Sequence, residues 1–203
     1  MNTIRSVCVY CGSSPGHNEI YIKAGHLLGR SIARSGLRLV YGGGTKGIMG
    51  AVAEGALKAG GKVTGIIPRF LISKEATESA LGRLDELLIT DNMHERKHRM
   101  FEKSDAFVAL PGGIGTVEEI VEIMTWAQLG HHRKPIVFGN VGGFWDPMLA
   151  LLEHMTAEGF IHTAQRVKPL VVNDPEAIVA AIMVAGSSVD APTDGVQSVI
   201  DKM

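Results

Sequence analysis

Only two of the 203 residues are cysteines, Cys8 and Cys11. Their C-x₂-C spacing is that of a zinc or redox motif, yet no second Cys/His pair stands at ligand spacing. A thioredoxin-type pair would open a helix, whereas this one lies in the alternating run Val7-Cys8-Val9-Tyr10-Cys11 and leads into a Gly-Ser loop. It reads as a buried first strand, and no metal is expected. An excess of charge of one sign is missing too. Twenty Lys and Arg against 21 Asp and Glu leave a net charge of −1, which gives no electrostatic footprint for nucleic acid. The longest apolar runs are too short and too broken by glycine and charge to span a bilayer. The opening residues lack a positive segment followed by a long apolar stretch, so no signal peptide is expected and a cytoplasmic location is. Internal repeats and linkers are absent. What remains, 45% apolar and 20% charged residues, fits one soluble globular domain large enough to bury a core.

Short β-branched runs alternate with helical stretches. Strands are predicted at 6–11, 37–41, 62–67, 86–90, 106–110, 135–140 and 170–172, several of them almost continuously apolar, as parallel strands covered on both faces should be. Helices are predicted at 20–35, 47–59, 94–103, 117–129, 147–158 and 175–185. The alternation predicts an α/β fold: a Rossmann-like, doubly wound parallel sheet in a three-layer α/β/α sandwich, formed by a single domain over residues 1–185. Residues 186–203, small and polar, are expected to be a flexible tail.

Such folds bind ligands outside the carboxyl ends of the strands. Three small-residue loops fall there: Gly12-Ser13-Ser14-Pro15-Gly16, Gly42-Gly43-Gly44-Thr45-Lys46-Gly47 and Pro111-Gly112-Gly113-Ile114-Gly115-Thr116. Glycine lets backbone N–H groups approach an anion, and a following helix adds unpaired donors and a partial positive charge. Thr116 can cap that helix or bind a phosphate oxygen. Two familiar phosphate signatures are absent. No Gly-x₄-Gly-Lys-Ser/Thr string occurs. A loose Gly-x-Gly-x₂-Gly through Gly42, Gly44 and Gly47 is followed by Ile66-Ile67-Pro68 where a dinucleotide site needs an acidic residue. Tight turns alone would explain one such loop; three on one sheet edge favour a phosphate-bearing ligand.

In the stretch after the third loop, helical spacing places Glu118, Glu122 and Thr125 on one stripe, and Glu119 beside Ile123 and Trp126. Favourable charge at a helix N-terminus would account for both first-turn glutamates. Glu119, with apolar neighbours, is the one directed at occluded space, where a carboxylate can stabilise an oxocarbenium-like centre or activate water. Asn92 to Met100 forms a basic run. A solvated face is the ordinary explanation, but its start at a strand's carboxyl end would let Arg96 or Lys97 meet a phosphate or a departing base.

At these residues the chain resembles the Lonely Guy (LOG) family. The family signature Pro-Gly-Gly-x-Gly-Thr-x-x-Glu matches Pro111 to Glu119 at every fixed position, and Met-His-x-Arg-Lys matches Met93 to Lys97. Cys11 to Ser14, Val40 to Gly44 with Gly47 to Gly50, and Thr125 to Gly130 extend the likeness over about residues 4 to 180. The resemblance implies a homodimeric phosphoribohydrolase that splits cytokinin riboside 5′-monophosphates, or AMP, into free base and ribose 5-phosphate, with no cofactor. It assigns Arg96 and Glu119 as the catalytic pair. Gly112, Gly113, Gly115 and Thr116 would hold the phosphate, with Lys97, Glu118, Thr125, Ser14, Gly43, Gly44 and Met93 also in the substrate site. Glu75 matches a site glutamate by position, in a segment that departs from the plant-like pattern.

Two rivals stand beside this reading. Relatives often carry the label lysine decarboxylase, but a pyridoxal enzyme needs a Schiff-base lysine and an acidic partner for the ring nitrogen, and no lysine here is so placed. A nucleotide or cofactor carrier of the same fold would use the glycine loops equally well; Arg96 together with Glu119 favours the enzyme. The helix at 117–129, with a broad apolar arc and Trp126 outside it, is the physical support for a dimer.

Overall fold

A computed structural model describes residues 3–161 and 168–188. Each predicted strand is present: β1 (Ser6–Tyr10), β2 (Arg38–Tyr41), β3 (Val63–Pro68), β4 (Glu86–Thr90), β5 (Ala106–Ala109), β6 (Ile136–Gly139) and β7 (Leu170–Val172). They form one sheet in the order β4-β3-β2-β1-β5-β6-β7, with all neighbours parallel. The chain moves outward from β1 to β4, then returns to lay β5 against the other side of β1. The switch point therefore lies between β1 and β5, the crevice where a ligand belongs.

β1, β3, β5 and β6 are buried at every residue because helices cover both faces. One face carries α1 (Glu19–Arg34), α2 (Gly47–Lys58) and α8 (Ile178–Ser188) over Val7, Val9, Leu39 and Val108. The other carries α5 (Met93–Glu102), α6 (Ile114–Gln128) and α7 (Asp146–Ala157) over Cys8, Tyr10, Phe107 and Phe138. Alternate residues of β1 thus feed two separate cores, as the two-residue period of a strand demands. On the first face α1 and α2 approach to backbone contact. A Cβ on Gly29 would stand 2.0 Å from the Val52 carbonyl oxygen.

Three differences from the sequence reading matter. The first turn of α6 begins at Ile114, not Val117, because the glycines that read as loop are drawn into the helix. Two short helices, α3 (Ile72–Glu75) and α4 (Glu78–Leu81), occupy a stretch to which the sequence pattern assigns no element. Finally, Gly186 to Ser188 continue α8, and the rest of the expected tail, 189–203, lies outside the described residues.

Candidate functional site

The three glycine loops meet at the switch point and hold one another. Gly12 donates its N–H to the Pro111 carbonyl (3.0 Å), and its own carbonyl accepts from Ile48 (3.0 Å) and Met49 (3.1 Å) at the start of α2. Side chains are excluded from these junctions. A Cβ on Gly47 would lie 2.4 Å from the backbone of Ser13, and one on Gly112 would lie 2.8 Å from the amide nitrogen of Gly12. The loops enclose a cavity of about 290 Å³, with Cys11, Gly12, Ser13, Gly42, Glu75 and Met93 on one part of its wall and Arg96, Gly113, Gly115, Thr116, Glu118 and Glu119 on the other.

The third loop supplies an anion cradle. Gly113 is the N-cap of α6, with no side-chain cap. The first-turn N–H groups of Ile114, Gly115 and Thr116 therefore have no intrahelical acceptor, and they carry the positive end of the helix dipole. Thr116 sits in the third helical position, buried, with its hydroxyl beside Gly112, so it does not take the capping role that the sequence allowed. Gly113 and Gly115 differ from Gly112. A Cβ on either would meet nothing within 4 Å. The polypeptide does not need these two glycines for its own packing; their bareness leaves room for an approaching group.

Glu119, one turn further along α6, is 9% exposed and borders the cavity. Burial raises its pKa from 4.5 to about 7. The positive charge of Arg96 opposes the rise, Glu118 adds to it, Lys97 opposes it, and Glu75 adds to it. The sequence pattern directs Glu119 at occluded space, and the residue is buried. Arg96 is 5% exposed, and among the described residues no carboxylate forms an ion pair with it. Its Nη2 donates to the Gly42 carbonyl (2.9 Å), its Nε to the Ile66 carbonyl (3.2 Å), and its Nη1 reaches the Met93 sulfur (3.7 Å). A guanidinium can be buried this way because strand-end carbonyls and a planar fork match in geometry. Glu75, at the end of α3, also borders the cavity, and its Oε2 is buried without a hydrogen-bond partner among the described residues.

The remaining candidates divide. Met93 and Glu118 line the cavity with Gly113, Gly115 and Thr116. Lys97 stands just behind, bridging Glu118 and Glu122 (3.2 Å to the latter). Burial alone would lower its pKa, but hydrogen bonds to Glu118 and Glu122 prevail and raise it. Gly112 acts from beneath, pressed on Thr116. Gly43 makes the turn with φ +76°, and Gly44 faces a separate cleft of about 370 Å³ beside Tyr41 and His26. Ser14 is exposed and outside the cavity wall, while its neighbour Ser13 is part of it. Thr125 lies on the exposed side of α6 and spends its hydroxyl on the Val121 carbonyl (2.8 Å).

Gly42 went unassigned in the sequence reading, although the Gly42-Gly43-Gly44 run marked its neighbourhood. His132 is buried: its ring bonds the Ile123 carbonyl (2.9 Å) and accepts from Lys134 N–H (3.1 Å), and burial lowers its pKa. Cys8 and Cys11 are free and buried, and burial raises the pKa of both. Among the described residues no group of three or more His, Cys, Asp or Glu side chains is placed to hold a metal ion.

A doubly wound parallel sheet with a glycine-lined helix N-terminus at its switch point, bordered by a buried arginine and a buried glutamate, defines a Rossmann-like α/β protein. The family described as "Possible lysine decarboxylase" matches residues 49–182. A cytokinin riboside 5′-monophosphate phosphoribohydrolase of Rhodococcoides fascians is 46% identical over 180 residues, 89% of this chain and 90% of that one. Another of that name, from Arabidopsis thaliana, is 46% identical over 162 residues, 80% of this chain and 70% of that one. The chain belongs to this family, the LOG phosphoribohydrolases, and is an enzyme. Among solved structures, the molybdenum cofactor carrier protein of Chlamydomonas reinhardtii superposes with a TM-score of 0.66 at 21% identity, covering 91% of this chain and 99% of that one, a likeness of fold alone.

Proposed function

We propose that this enzyme hydrolyses the N-glycosidic bond of nucleoside 5′-monophosphates, a cytokinin riboside 5′-monophosphate or AMP, releasing free base and ribose 5-phosphate. The observation that carries the reading is Glu119, a buried carboxylate with its pKa raised to about 7, one helical turn from an open anion cradle. The 5′-phosphate sits on the Gly113–Thr116 N–H groups, and the binding energy of that remote group holds C1′ beside Glu119. As the C1′–N bond breaks, its electron pair leaves with the base and positive charge grows on the ribose, which the Glu119 carboxylate stabilises. A water oxygen bonds to C1′ and gives a proton to Glu119, which returns it to the departing base. A base with a pKa near the working pH suits both halves of that transfer. Arg96, fixed by carbonyl oxygens rather than by a carboxylate, keeps its full charge for the base or for Glu119.

The same reading has the enzyme acting as a homodimer in the cytoplasm. Two observations support this part. Ile114 (85% exposed) and Leu129 (68%) leave apolar surface at both ends of α6, although Trp126 is engaged within the chain, edge-on to Phe101. No helix among the described residues is long and apolar enough to cross a membrane.

The test is incubation of the purified protein with AMP and with isopentenyladenosine 5′-monophosphate, followed by chromatography. Free base from the second at a much higher rate marks a cytokinin-activating enzyme, and free base chiefly from AMP a general nucleotide hydrolase. Tight nucleotide binding with no base released overturns the reading in favour of a carrier.

A further inference from the structure

Three consecutive glycines follow β2, and each is constrained differently. Gly43 holds a positive φ of 76° and would press a Cβ to 2.9 Å from that of Ile67. Gly44 faces the Met49 side chain at 3.1 Å, which can give way. Gly42 has no left-handed backbone to defend. Its constraint is a single side chain: a Cβ there would lie 2.0 Å from Nη2 of Arg96 and 3.1 Å from the guanidinium carbon, with the Met49 sulfur next at 3.2 Å. The same residue offers its carbonyl oxygen to that Nη2 at 2.9 Å. Both the absence of a side chain and the presence of the carbonyl are therefore directed at Arg96.

We propose that Gly42 is the positioning residue for Arg96: the bare Cα admits the guanidinium and its carbonyl fixes it, with Ile66 holding the other edge of the fork. The proposal rests on the reading of Arg96 as a catalytic group. An alanine at position 42 suits the backbone, so the chain can relieve the clash by swinging out the flexible end of one side chain. The variant is expected to fold and to keep its anion cradle while the arginine is displaced from the cavity. Glu119 then loses the charge that most opposes its protonation, while Glu118, Lys97 and Glu75 remain around it.

The experiment is a double-mutant cycle with Gly42→Ala and Arg96→Gln, read by kcat and KM for nucleotide hydrolysis and checked by circular dichroism. Gly42→Ala is expected to lower kcat about 100-fold or more, the scale on which a positioned donor acts, with a smaller change in KM. In the Arg96→Gln background it is expected to cost nothing further. Equal losses in both backgrounds, or an unchanged kcat in Gly42→Ala, overturn the proposal. A second measurement needs no turnover: titration of the Glu119 carboxyl by carbon NMR. Gly42→Ala is expected to move that midpoint above its wild-type position near 7, and an unmoved midpoint also overturns the proposal. If wild-type protein releases no base but the midpoint moves, the functional reading fails and the positioning role of Gly42 stands.

Discussion

Thr45 ties the second glycine loop to Glu75. Its N–H and its hydroxyl both donate to the Glu75 carbonyl oxygen, at 2.8 and 3.3 Å. The short α3 is thereby fastened to the loop that begins with Gly42, and the Glu75 side chain is held at the cavity wall with one oxygen unpartnered. A buried acceptor that no neighbouring protein group satisfies is one a ligand hydroxyl can satisfy.

Glu75→Ala should therefore raise KM for nucleotide, about 10-fold for one lost charge-assisted hydrogen bond, with little change in thermal stability. Steady-state kinetics and a melting curve check both parts. A fall in kcat at constant KM would place Glu75 in the chemical step instead.

Glu119 should limit stability as well as support turnover. Its folded pKa, about 7, lies above the ordinary 4.5. The folded state holds the proton more tightly than the unfolded chain between those values, so stability falls as pH rises through that window, by up to about 3 kcal/mol above pH 7. Glu119→Gln should raise Tm above pH 7, lose that advantage toward pH 4, and abolish base release while nucleotide still binds. Melting curves at several pH values, with product chromatography, test this directly.

The rate should follow the same group with the opposite sense. Since the ionised carboxylate stabilises the ribose and accepts the proton, kcat/KM should fall as pH drops through about 7. A profile flat from pH 5 to 8 would exclude Glu119 as the titrating base.

Gly115→Ala separates folding from binding. The new Cβ meets nothing within 4 Å, and alanine favours a helix over glycine by about 0.5–1 kcal/mol. The variant should be more stable than the parent and bind nucleotide monophosphate more weakly, with isothermal titration as the check. Unchanged affinity would place the phosphate elsewhere.

Much of this architecture was legible because the relevant signals are local. β1 shows its burial on both faces in Val7-Cys8-Val9-Tyr10, and the loops after β1, β2 and β5 announce themselves by glycine. Glu119 could be told from Glu118 because its helical neighbours, Ile123 and Trp126, are apolar. Other features depend on partners far away in the chain. Arg96 sits in a run that reads as a solvated face, and its burial becomes affordable only through the Gly42 and Ile66 carbonyls, which carry no sequence signature. His132, next to His131 in sequence, is buried only by distant partners, the Ile123 carbonyl and the rings of Phe101 and Phe107. The first turn of α6 carries no helical signal because Gly113-Ile114-Gly115 has poor intrinsic helicity, which tertiary packing overrides. The short α3 and α4 lack the length for a periodic signal.

The clasp between Arg96 and the strand ends also constrains how this fold can change its trade over evolutionary time. Losing the arginine would remove a group that the proposed reaction uses and also leave the buried carbonyl of Gly42 without that donor, at a cost of about 1–3 kcal/mol. A descendant that gave up hydrolysis for simple carriage would have to recruit a replacement donor at the mouth of β2 or accept a weaker fold. The route out of catalysis is therefore uphill in stability at its first step, whatever advantage the new role confers.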